Sequence, residues 1–60
     1  MKNLKRIRLS RGLRQTRLAQ LTKSSPQLVH QQELKGIKTI RVAKRYAKVL
    51  NCSPLDLIDV

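Results

Sequence analysis

Apolar residues recur along the chain at helical spacing, and alternation with period two never runs long enough to make a strand. The first segment, about residues 2–11, sets Leu4, Ile7, Arg8 and Arg11 on one side, where long arginine stems can cover apolar surface. Gly12 is the stop signal. A second helix is predicted over about 15–22, with Leu18, Ala19 and Leu21 supplying its contacts. Small Ala19 marks where another helix can approach closely. Lys23 and Ser24 then form a turn, and Ser25 before Pro26 places an N-cap ahead of a proline at the first helical position, where a missing N–H does no harm.

Helix three is expected over about 26–35, with Gly36 just past its end. The fourth helix, about 39–50, has the most regular pattern. Val42, Ala43, Tyr46, Ala47, Val49 and Leu50 share one arc, and Arg41, Lys44, Arg45 and Lys48 occupy the other with no acid among them. Asn51 suits its C-terminal stop. Ser53-Pro54 repeats the cap logic and opens a last helix, about 54–58, carrying Leu55, Leu57 and Ile58. The expected fold class is all-α: five short helices in a single domain spanning 1–60.

Composition narrows the function. Sixty residues lie near the lower limit for one core, too few for a β-sandwich or an enzyme with a deep pocket. With one tyrosine and no phenylalanine or tryptophan, the core must be aliphatic. Cys52 is the only cysteine and His30 the only histidine, which excludes an internal disulfide and a clustered zinc site. No metal or cofactor is expected, and no pair of acids or nucleophile–base set stands at catalytic spacing, so an enzyme is not expected either. The lone thiol fits a reducing cytoplasm, and no apolar run approaches the roughly 18 residues of a membrane span. A cytoplasmic location is the expectation. Fourteen Lys and Arg face only Glu33, Asp56 and Asp59, a formal charge of +11. That excess repels itself and favours a polyanion, with nucleic acid ahead of anionic lipid. A merely well-solvated surface would intersperse both signs.

Val29 lies ten residues after Ala19, which lets a branched residue on helix three meet a small one on helix two and set a steep crossing between them. Helix three then offers Gln27, His30, Gln31 and Lys35 on its polar face. Glutamine can pair with N6 and N7 of adenine, and lysine suits guanine or phosphate. Ser25, at the positive end of the helix, can bond a phosphate. An ordinary solvated face would carry the same residue types, so the flanking pattern carries the argument.

That pattern resembles the lambda repressor-like, Cro/cI (XRE-type) helix-turn-helix family over almost the whole chain. The likeness runs from "NLKRIRLSRGLRQTRLAQLT" through "SSPQLVHQQELKG" to "AKRYAKVLNCSPLDLI", the last resembling the family's fourth and fifth helices. The resemblance implies a five-helix domain, usually a homodimer on a pseudo-palindromic double-stranded DNA operator, with helix three in the major groove. It implies a transcriptional repressor, and the small size suits a phage Cro-type regulator or one from a mobile element. Gln15 matches the family's glutamine that contacts a phosphate and braces helix three. Ala19 and Val29 match packing positions, Ser25, Pro26, Gln27 and Gln31 match DNA-facing ones, and Glu33 matches an acid common at the helix end. The chain departs from the pattern at Lys23, where the family usually has glycine for a positive φ. It departs again at Ser24, a usual aliphatic position, and at Gln32, a usual isoleucine. The last implies a looser core or a helix three rotated or shifted in register.

Expected base contacts are therefore Gln27, Gln31 and His30. Expected phosphate contacts are Gln15, Ser25, Arg11, Arg14, Arg17, Lys35 and Lys38, with Arg8 continuing an every-third-residue arginine series. The basic face of helix four touches flanking DNA or nothing. Tyr46 belongs to the apolar arc and Cys52 to a helix end, with no function required of either. Two other readings compete: an antitoxin-type regulator that also binds a protein partner, and a non-specific nucleic-acid binder relying on charge alone. Leu55, Leu57, Ile58 and Val60 are the candidate dimer strip.

Overall fold

A computed structural model describes residues 1–59. Among them are four α-helices, α1 (Asn3–Ser10), α2 (Gln15–Leu21), α3 (Pro26–Lys35) and α4 (Ile40–Leu50), and a closing 3-10 turn, Pro54–Leu57. The expected fifth helix is thus a single tight turn. Ser53 and Asp56 cap it reciprocally, and Ile58 already lies in extended backbone. No described helix is long and apolar enough to cross a membrane.

The starts of α3 and α4 follow the local chemistry. Ser25 Oγ accepts the Leu28 N–H ahead of Pro26, and Thr39 Oγ1 accepts the Val42 N–H at the start of α4. Lys23 takes a positive φ of 56°, the conformation for which glycine is the usual choice. The turn around it is tied down: the Ser24 N–H donates to the Ala19 carbonyl, and the Thr22 hydroxyl bonds to the Leu18 carbonyl and to Ser24 Oγ. Ser24 therefore serves as a hydrogen-bonding residue where an aliphatic one would pack.

One core joins the elements. Leu4, Leu18, Val29, Ile37, Tyr46, Leu50 and Leu57 are its largest fully buried side chains, with Ala19, Ala43 and Ala47 allowing close approach. α1 packs against both α3 and α4, and α2 packs chiefly on α3. Leu21, expected to contribute contacts, is 41% exposed, and the buried residues of α2 are Leu18 and Ala19. Val29 and Glu33 face inward and Gln32 is only half-buried at the edge, so α3 keeps the register that packs Val29 on the core.

The chain's end is bound to its beginning. Lys2, at the N-cap of α1, supplies no side-chain cap. Asp59 supplies one instead: its Oδ1 accepts the Asn3 N–H at 3.1 Å and its Oδ2 the Ile37 N–H at 3.0 Å. The Asp59 N–H returns to the Ile37 carbonyl, and Asn3 Nδ2 donates to the Ile58 carbonyl. Gly36 makes this closure possible. A Cβ there would lie 2.8 Å from Asp59 Oδ2, and its φ of 84° with ψ of 162° falls in a region essentially reserved for glycine.

Candidate nucleic-acid interface

Inward-facing residues determine how α3 presents its outer face. Arg8 and Glu33 are 6% and 5% exposed, and the guanidinium forks onto the carboxylate, Nε to Oε2 and Nη2 to Oε1. Arg8 Nη1 also donates to the Leu13 carbonyl at 2.7 Å. Arg8 is therefore a strut between α1 and α3, which removes it from the phosphate-facing series. Burial of so costly a pair is tolerated because both oxygens and all three guanidinium nitrogens are bonded. The acid expected merely at a helix end is the point to which α3 is anchored.

From Glu33 the bonding passes outward. Gln15 Nε2 donates to Glu33 Oε1 at 2.9 Å and lies 3.2 Å from His30 Nδ1. Gln15, at the first position of α2, thus braces α3. Its amide nitrogen faces both partners within the protein, so donation to a phosphate would compete with these contacts.

The outer face of α3 brings together Gln27, His30 and Gln31, all exposed and spaced i, i+3, i+4. Leu34, 66% exposed, extends the same stripe at i+7, and Lys35 follows at its edge in the last turn. Sequence reasoning missed Leu34. Its position seven residues after Gln27 was the available signal, but a leucine is ordinarily assigned to the core. An exposed apolar side chain within a polar stripe suits a thymine methyl group.

Around this face, Ser25 uses its oxygen to accept the Leu28 N–H and keeps its O–H free to donate. Arg14 and Arg17 are exposed at the start of α2, the latter bonded to Gln20 Oε1 at 3.2 Å. Lys38 is exposed beyond α3, with Nζ 3.4 Å from the Asp59 carbonyl. Arg11 is drawn elsewhere. Its Nε donates to the Leu50 carbonyl at 2.8 Å and Nη2 approaches that of Asn51, at the negative end of α4. Arg11 thus ties the end of α1 to the end of α4 while remaining exposed.

Arg41, Lys44, Arg45 and Lys48 lie on the exposed side of α4 and line an open groove with Cys52 and Pro54. Burial pushes the Cys52 thiol up from its ordinary value, Asp56 adds to the rise and Arg11 opposes it, a setting that disfavours the reactive thiolate. Of the candidate dimer strip, Leu57 is fully buried and Ile58 half-buried, so neither offers a free apolar surface, while Leu55 is 72% exposed. Val60 lies outside the described residues.

Comparison with known families matches residues 4–57 to the helix-turn-helix family model HTH_3. Comparisons with curated proteins and with solved structures find no match.

Proposed function

Because the chain belongs to the helix-turn-helix family, of Cro/cI (XRE) type, and is thus a DNA-binding transcription regulator, we propose that it is a sequence-specific repressor inserting α3 into the major groove of a pseudo-palindromic operator. The observation that carries this reading is the outer face of α3, where exposed Gln27, His30 and Gln31 stand side by side on a helix anchored from behind by Arg8–Glu33. Gln27 and Gln31 read base edges, each good bidentate pair being worth about 1–3 kcal/mol of discrimination. Leu34 meets a thymine methyl. Ser25, Arg14, Arg17, Lys35 and Lys38 bond phosphates and set the register of the protein on the duplex. Gln15 acts as a brace for the reading helix. Two copies of this single domain bind half-sites about one helical turn apart, in the cytoplasm of a bacterial or phage-infected cell.

Selection of bound sequences from a random duplex pool, with footprinting of the winners, tests the proposal. The expected result is a two-fold symmetric motif that survives excess bulk DNA at physiological salt. Gln27→Ala and Gln31→Ala should each relax preference at particular bases. A uniform loss of affinity would make them phosphate contacts, and no motif at all would leave a non-specific binder. Co-purification with a small neighbouring protein would favour the antitoxin-type reading.

A further inference from the structure

The side chains joining α2 to α3 have a fixed polarity. Glu33, as a carboxylate, can only accept, and the Gln15 atom facing its Oε1 at 2.9 Å is therefore the amide nitrogen and not the amide oxygen. The same nitrogen faces His30 Nδ1 at 3.2 Å. Its two hydrogens go one to each partner. A donor pointing at Nδ1 requires that ring nitrogen to accept, so the single hydrogen of the neutral ring sits on Nε2. The buried Arg8–Glu33 pair holds the carboxylate at the start of this chain, and His30 is exposed at its end.

We propose that His30 is a specificity-determining residue offering the duplex only a hydrogen-bond donor, Nε2–H, and that it selects guanine, with Gln15 as its positioning residue. This deepens the proposed function and rests on α3 entering the major groove. Guanine presents two acceptors, N7 and O6, on its major-groove edge, whereas adenine sets an amino group beside N7 and cytosine presents a donor. Thymine offers one acceptor beside a methyl group. Gln27 and Gln31 carry both a donor and an acceptor and adapt to either polarity. His30 supplies the fixed polarity on the same face.

Two measurements on the full chain test this. Long-range nitrogen–proton spectra of the free protein, taken where the ring is neutral, should show Nε2 protonated and Nδ1 bare. In Gln15→Ala the signals should move toward an average of both tautomers. In the random-pool selection, the wild-type motif should contain a guanine in each half-site that His30→Ala relaxes to any base. Affinity for the guanine site should fall about fivefold in His30→Ala, the scale of one neutral hydrogen bond. Replacing that guanine by 7-deazaguanine, which lacks the N7 acceptor, should weaken the wild type and leave His30→Ala unchanged. His30→Gln should admit adenine at the same position. A hydrogen on Nδ1 in the free protein overturns the proposal, as does a motif indifferent to His30 or a loss equal on all sequences. Those outcomes leave sequence-specific binding standing. Absence of any motif would sink the proposed function together with this inference.

Discussion

Helix α4 sorts its residues by type, with Ala43, Tyr46, Ala47 and Leu50 inward and Arg41, Lys44, Arg45 and Lys48 outward, whereas α3 turns the charged Glu33 inward and the apolar Leu34 outward. α4 is held by ordinary burial of one apolar stripe. α3 has a weaker stripe and depends on Val29 together with the ion pair between Glu33 and Arg8. The helix expected to do the reading is therefore the one positioned by directional bonds, which fix its rotation more tightly than apolar contact alone. The helix with the most charge carries none of the residues proposed to read bases.

The largest consequence of that difference should appear on removing the inward acid. Glu33→Ala strands the Arg8 guanidinium in the interior and should cost about 3–5 kcal/mol in a urea melt. That approaches the whole stability of so small a domain. Joint replacement, Arg8→Met with Glu33→Leu, should recover most of the loss; a double variant no better than the single one would break the contrast with α4.

The two helix exits sharpen the comparison next. Both end at positive φ, but Asn51 at φ 55° and ψ 53° is in the left-handed region that asparagine tolerates, while Gly36 lies where a side chain is strained and meets Asp59. Gly36→Ala should cost about 1–3 kcal/mol, and Asn51→Gly should change stability by less than about 1 kcal/mol.

Tyr46 tests how well α4 itself is satisfied. Its ring is fully buried and its hydroxyl has no hydrogen-bond partner. Tyr46→Phe should therefore shift stability by no more than about 1 kcal/mol, toward greater stability. Burial raises the phenol above its ordinary value of 10.0, with Arg45 opposing and Glu33 adding to the rise. The folded chain thus holds this proton longer than the unfolded chain. Stability should be unaffected below pH 10 and decline as pH climbs from there toward the raised folded value. The variant should lack that component of the alkaline decline.

Smallest of all should be the effect of the outer face of α4 on folding. Alanine at Arg41, Lys44, Arg45 and Lys48, taken singly, should change stability by no more than about 0.5 kcal/mol. The selected DNA motif should stay unaltered, and any change in affinity should appear as a shallower salt dependence common to all sequences.

Much of this architecture is legible in local chemistry. Helix ends are short-range events, so Ser25-Pro26, Gly36, Asn51 and Ser53-Pro54 announce them within a few residues. The apolar arc of α4 and the inward setting of Ala19 and Val29 follow from helical spacing. The sign of the charge and the polar stripe Gln27, His30 and Gln31 follow from residue identity. Tertiary structure alone decided which cations are free and which are structural. Arg8 and Arg11 look alike along the chain, yet one pairs with an acid 25 positions away and the other caps the end of α4 some 39 positions on. Asp59 likewise became the cap of α1 only through closure of the chain. Partners so distant leave no periodic trace, because a hydrogen bond is selected by where two atoms meet in space. For the same reason the direction of the His30 hydrogen follows from Gln15, a residue of another helix that no helical pattern joins to it.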